Sequence, residues 1–233
     1  RNGTDWEEQK KLTASDITSG DDFGKSVSIN GDYAIIGATG NDDIGNNSGS
    51  AYIFIRNGTD WEEQKKLTAS DITGSDTFGN SVSINGDYAI IGAIGNDDIG
   101  GSSGSSYIFK RNGTDWEEQK KLTASDITGG DQFGKSVSIN GDYAIIGAPS
   151  NDDIGNTSGS AYIFKRNGTD WDELKKLTAS DITAGDRFGY SVSISTDHAI
   201  IGANGDDGFT GSAYIFEING DLWTEQQKLT ASD

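Results

Sequence analysis

The sequence predicts an all-β protein made of propeller blades, each blade a sheet of four antiparallel strands. Three observations carry that prediction. "RNGTDWEEQKKLTASDIT" begins at Arg1, Arg56 and Arg111 and returns as "RNGTDWDELKKLTASDIT" at Arg166, a period of 55 residues. Each unit holds four short strand-like runs separated by turn signals. The polarity of these runs is graded, from small through wholly apolar to charged, which suits a sheet crowded at one edge and wet at the other.

The first run, "FGKSVSIN" at Phe23–Asn30, sets Phe23, Val27 and Ile29 on one face and Gly24, Ser26 and Ser28 on the other. Such period-two patterning predicts a strand, and its small face lets neighbouring backbones approach. The second run, "YAIIGA" at Tyr33–Ala38, and the third, "SAYIFI" at Ser50–Ile55, are apolar on both faces and are expected to be buried on both sides. The fourth is "DWEEQKKLTA", Asp5–Ala14 in its first copy. Trp6 and Leu12 can face inward there, while the charged remainder protects an outermost edge from pairing with strangers.

The joins fit this order. Asn30-Gly31 links the first and second strands. Asn2-Gly3, Asn57-Gly58, Asn112-Gly113 and Asn167-Gly168 link third to fourth strands, and Asn-Gly predicts type I′ hairpin turns. Ser195-Thr196 replaces Asn-Gly in the fourth unit and predicts a different turn there. The other joins, "TGNDDIGNNSG" and "SDITSGDD", are long and acidic and fall at the same end of an antiparallel meander. Each unit therefore has a tight-turn face and a long-loop face. A linear β-solenoid is the competing architecture, but its coils are usually shorter and lack paired Asn-Gly hairpins.

The chain, 1–233, reads as a single propeller or propeller segment, with repeats 1–55, 56–110, 111–165 and 166–218 and a partial unit 219–233. A three-residue deletion shortens the fourth unit. The count of strands leaves one extra outer strand, at the N-terminus. It can belong to a larger ring of which this chain is an excerpt. It can be displaced in a closed four-bladed ring. It can also complete a blade in the next molecule, giving head-to-tail assembly. The chain has no Met, so it is expected to be a processed product or an excerpt.

Hydrophobic residues make up 33% and the net charge is −19, a combination that by itself suggests disorder. The apolar residues are clustered and periodic, however, and stacked repeats bury apolar faces that one repeat cannot. The acidic balance argues against nucleic acid or anionic membrane as partner. No apolar stretch approaches the ~20 residues that cross a bilayer, so membrane insertion is not expected. With no Cys, disulfides and thiol chemistry are excluded.

"FG", then "SVSINGDYAIIGA", then "SGSAYIF" resembles the FG-GAP repeat, and Phe133–Asp153 completes the Gly-Ala-Pro itself. The resemblance covers essentially the whole chain. It implies blades like those of integrin α-subunits, typically seven to a ring, and a kinship with bacterial relatives found in large secreted or surface proteins. It thereby implies an extracellular or cell-surface location. Integrin-type blades often carry a calcium loop just before the Gly-Ala-Pro strand. Here the tight turn Asn30-Gly31-Asp32 stands in that place, so calcium does not carry over there.

Elsewhere, the acidic pairs Asp42-Asp43, Asp97-Asp98, Asp152-Asp153 and Asp206-Asp207 are the metal-ligand candidates, since carboxylates in Gly-rich loops suit Ca²⁺. Capped, solvated turns are the alternative. A second set is Asp16 with Asp21 and Asp22, and its copies Asp71/Asp76, Asp126/Asp131 and Asp181/Asp186. The Asp two residues before each Phe-Gly is expected to make a structural hydrogen bond that fixes entry into the inner strand. Trp6, Trp61, Trp116, Trp171 and Trp223 can stack on sugars or cover the rim of each blade. Four Asn-Gly-Thr triplets match the glycosylation pattern but sit where turns want Asn-Gly. His198 is the single His and replaces a strand Tyr.

Catalysis is not expected, because an active site needs groups in unlike environments and near-identical copies supply like ones. The expected role is a non-enzymatic extracellular surface, adhesion or structural module that presents acidic loops, with Ca²⁺ assistance and self-assembly as further expectations. The alternative is a multivalent carbohydrate-binding propeller. Expected partners are a protein or glycan on a cell surface or matrix, or copies of the chain itself.

Overall fold

A computed structural model describes residues 7–232. Four separate four-stranded antiparallel sheets follow one another, each in simple chain order. The first blade is β1 (Phe23–Asn30), β2 (Tyr33–Ala38), β3 (Ser50–Asn57) and β4 (Asp60–Leu67). The second is β5 (Phe78–Asn85), β6 (Tyr88–Ala93), β7 (Ser105–Asn112) and β8 (Asp115–Leu122). The third is β9 (Ser136–Asn140), β10 (Tyr143–Ala148), β11 (Ser160–Asn167) and β12 (Asp170–Leu177). The fourth is β13 (Phe188–Ile194), β14 (His198–Ala203), β15 (Ser212–Asn219) and β16 (Leu222–Leu229). Blades are thus offset from repeats, since each takes its outer strand from the unit that follows.

Adjacent blades bury one apolar sandwich. The trailing face of blade one gives Ile35, Ala51, Ile53 and Leu67. The leading face of blade two gives Phe78, Val82, Ile84, Ile91, Tyr107 and Trp116. The same sandwich recurs between blades two and three and between three and four. Each fully buried Ile or Phe in it contributes on the order of 1.5–3 kcal/mol. Toward the inner edge the approach is between backbones. A Cβ on Gly37 would overlap the carbonyl of Gly79, and a Cβ on Gly147 that of Gly189. Ser26 Oγ donates to Gly79 O at 2.8 Å, and Ser28 Oγ accepts from Ile84 N at 3.2 Å. The small face of the first strand is therefore a docking edge for the next blade.

The Trp side chains serve the same interface. Trp116 and Trp171 are buried and meet Tyr33 and Tyr88 of the preceding blade edge-on. A β-bulge skips Gln64 in the β3–β4 register and Gln119 in that of β7–β8. Gln64 then accepts from Trp116 Nε1 at 3.0 Å, and Gln119 from Trp171 Nε1 at 3.3 Å. In the next blade Leu174 stands at the bulge, and the buried Trp223 Nε1 has no partner among the described residues.

The hairpins differ from the type I′ expectation. Asn30 pairs with Tyr33 and Asn57 with Asp60, so the two-residue loops are Gly31-Asp32 and Gly58-Thr59. Only the first loop residue has positive φ, 58° at Gly31 and 64° at Gly58, the pattern of a type II′ turn. Asn closes the ladder instead, and Asn30 Oδ1 accepts from Gly86 N of the next blade at 3.1 Å. At Ser195-Thr196 the turn is different, as expected: His198 N donates to Ser195 Oγ at 3.2 Å. The Asn2-Gly3 turn, its triplet, and Asp5-Trp6 lie outside the described residues.

Residues 7–14 form no strand. Lys10 Nζ donates to Trp61 O at 2.8 Å and Ser15 N to a Glu63 carboxylate oxygen at 2.7 Å. Ser70 bonds Glu118 in the same way between blades one and two. The N-terminal segment therefore lies where a preceding blade's outer strand belongs.

Two outcomes follow from this packing. Gly147→Ala forces blades three and four apart and costs about 3 kcal/mol, read as a lowered denaturation midpoint. Leu174→Gln supplies the missing acceptor for Trp223 and adds about 1 kcal/mol, a rise in Tm of roughly 2–4 °C.

Candidate functional site

The long loops interlock. Gly40 N donates to Asp21 O at 3.1 Å, joining the loop after β2 to the linker that enters the same blade. Ser75 N donates to Asn46 O at 2.7 Å, joining that loop to the linker of the next blade. The long-loop face is thus one continuous hydrogen-bonded surface.

Asp21, buried, caps its linker: Thr18 N donates to it at 2.8 Å and Thr18 Oγ1 at 3.1 Å. Asp76, Asp131 and Asp186 repeat the bond to Thr73, Thr128 and Thr183. This is the structural role expected for the Asp before Phe-Gly. Asp22 is exposed, with φ at +56°.

Asp16 accepts from Tyr52 Oη at 2.9 Å and from Lys66 Nζ at 2.7 Å, and Lys66 also pairs with Asp43. Asp71, Tyr107, Lys121 and Asp98 form the second such cluster, and Asp126, Tyr162, Lys176 and Asp153 the third. Asp181, Tyr214 and Lys228 form the fourth, with Asp206 at 2.6 Å from Lys228. The hydrogen bond from Lys66 holds Asp16 below the ordinary carboxylate value. At Asp71 and Asp126 burial works upward, and the bonds from Lys121 with Tyr107 and from Lys176 with Tyr162 outweigh it. Burial pushes the Tyr52, Tyr107, Tyr162 and Tyr214 hydroxyls up, so they remain neutral donors.

Asp43, Asp98 and Asp153 of the metal-candidate pairs thus face a Lys ammonium. Asp42 accepts from Asn47 N at 2.7 Å within its own loop, and Asp97 and Asp152 are exposed. Among the described residues, no three His, Cys, Asp or Glu side chains gather as a metal would need. Asp206 is buried and takes the place held by Asn in other blades, with Ser212 Oγ donating to it at 2.5 Å. Asp207 is exposed, 3.6 Å from Lys228.

That Asn is the residue the sequence reading passed over. Asn41 is buried, accepts from Ser50 Oγ at 2.9 Å and donates to Asp21, tying the loop, the third strand and the linker together. Its signal was available: Asn precedes the acidic pair in three copies, with Ser nine residues on. His198 stands exposed on β14 with its Nδ1 2.7 Å from Asp197.

Each cluster couples stability to acid. Its carboxylate is lowered from 3.8 in the fold. The stabilisation is therefore complete above that value and is lost as pH falls through the lowered ones. Thermal midpoints should hold steady at neutral pH and drop below about pH 4. Lys121→Met should flatten this acid limb, and a limb of unchanged steepness means that the clusters do not carry it.

A model of the FG-GAP repeat matches the chain four times, at residues 6–54, 61–109, 116–164 and 171–216. No curated protein sequence matches the chain. Among solved structures, a protein from Bacteroides uniformis described as a 6-phosphogluconolactonase superposes with a TM-score of 0.61 at 11% identity. The match covers 90% of this chain and 57% of that one, so the chain spans little more than half of that protein's length. At this identity the likeness shows a shared fold alone. Four successive matches, one for each set of strands seen in the structure, place the chain in the FG-GAP repeat family.

Proposed function

We propose that this chain is a non-enzymatic surface module, adhesive or structural, that acts outside the cell by presenting its long-loop face to a protein or glycan. The observation that carries this reading is the equivalence of the four clusters. Each Asp–Tyr–Lys set is engaged by its own blade in nearly the same geometry, completed by an exposed loop Asp in three blades and by the buried Asp206 in the fourth. Carboxylates held alike and already paired suit a rigid, repeated display better than an acid and a base of unlike strength.

Differences between the copies fall on that display. Asp22, Thr77, Gln132 and Arg187 occupy one spot, and Asn47, Ser102 and Thr157 another, all at positive φ on the loop face. Calcium enters the reading as a competitor, since an ion at Asp42-Asp43 has to displace Lys66 from Asp43. The carbohydrate alternative through Trp is less favoured, because Trp116, Trp171 and Trp223 are buried against neighbouring blades.

Binding of the chain to arrays of glycans and matrix proteins tests the reading. Charge reversal at Arg187 should weaken capture without changing the Tm, with Ca²⁺ and with chelator compared in parallel. Trp116→Ala should lower stability by about 3–5 kcal/mol rather than remove one glycan selectively. Turnover of simple glycosides or esters would overturn the non-enzymatic reading.

A further inference from the structure

The stack of blades ends in two unmatched halves of its own interface. On the leading face of blade one, Val27 is 69% and Ile29 66% exposed, whereas their counterparts Val82 and Ile84 are 7% and 4% exposed. Phe23 is only half-buried, while Phe78, Phe133 and Phe188 are fully enclosed. On the trailing face of blade four, Ile200 is 39% exposed, whereas Ile35, Ile90 and Ile145 are completely buried.

The trailing face also holds a groove shaped by the repeat. A cavity of about 530 Å³ is lined by Ser191, Gly202, Gly211, Ser212, Ala213 and Leu229, among others. In the other blades the equivalent glycines are pressed by the next Phe-Gly: Gly37 by Gly79 and Gly49 by Phe78. Gly49, Gly104 and Gly159 form parallel bridges to Phe78, Phe133 and Phe188. Gly202 meets only Ser191 of its own blade, and Gly211 only Ala203 and Asn204. The groove matches the seat that a Phe-Gly fills in the other blades, and among the described residues Phe23-Gly24 is the copy of that pair that no blade seats.

We propose that the chain associates head to tail with a second copy, the trailing face of blade four seating Phe23-Gly24 and β1 of the next chain. Residues 7–14 of that next chain already lie where the outer strand of a preceding blade belongs. They replace β16 beside β15 in the joint, Leu12 taking the place of Leu229 opposite Ala213. The exchange is balanced, because "EQKKL" of the incoming segment and "EQQKL" of β16 offer nearly the same side chains. Lys11 falls in register with Lys228 and inherits its acidic partners Asp181 and Asp206. The contact joins unlike surfaces, so it propagates into a ring if its rotation closes and into a filament if it does not.

Sedimentation and light scattering on the full chain, from micromolar to millimolar, test this. The unaltered chain should grow with concentration beyond its monomer mass of 24.6 kDa. Ile29→Asp spoils only the leading face, and Gly202→Ala only the trailing one. Ile29 is open in the free chain, and an Ala Cβ at Gly202 meets only the end of the Ser191 side chain, which can rotate away, so the melting midpoint of dilute protein should scarcely fall. Each substitution alone should weaken association about a hundredfold. An equimolar mixture of the two variants should recover association through the one intact pair of faces and stop at the dimer. Oxidising a Leu12→Cys chain mixed with an Ala213→Cys chain should join them covalently if the strand is exchanged. A monomer at every concentration, association indifferent to both substitutions, or a mixture that fails to pair overturns the proposal. Pairing without the cross-link overturns the exchange.

Discussion

Contact between the backbones of successive blades is the constraint on which the rest depends. At Gly37, Gly92 and Gly147 the next chain segment comes so near that no side chain fits. That approach lets serine hydroxyls reach across to carbonyl and amide groups in the neighbouring blade. It also brings the Ile-rich trailing face and the Phe-rich leading face to packing distance, where burial supplies most of the stabilisation. A chain with only 33% hydrophobic residues can fold this way because most of its apolar side chains lie between two sheets.

The same stacking organises the charge. A net charge of −19 would strain a compact molecule if the carboxylates were scattered freely over it. Instead the outer-strand lysines reach back over the loop face. Each of Lys66, Lys121, Lys176 and Lys228 gathers carboxylates and lies over a buried Tyr ring. These groups hold the long loops in place, which is why a surface rich in carboxylates is also well ordered by hydrogen bonds.

Much of this was legible in the residues. The period, the four strands of each blade, the two kinds of face and the capping role of Asp21 all follow from local pattern and spacing. The turn type did not, because Asn-Gly suits two registers. At the inner hairpin the observed register lets Asn30 bond Gly86 in another blade, a partner 56 residues away. The acidic pairs looked alike in all four units, yet Asp206, three residues after Ala203 as Asn41 is after Ala38, itself stands in the buried place of Asn. Trp read as an inward-facing cover for the rim of its blade or as a sugar platform; its burial depends on Tyr33 or Tyr88 of the blade before.

The sequence alone determined the unit: its length, its strands, its small inner edge and its charged outer one, since these rest on contacts within a few residues or one hairpin. Tertiary structure decided what the units do to one another. It paired Lys66 with Asp16 and Asp43, enclosed Trp116, left Trp223 Nε1 unpartnered, and left Val27, Ile29 and Ile200 open at the ends. The reason is that near-identical sequences fold alike but do not have alike neighbours. Only the stacked structure shows which copy of a repeated face is covered.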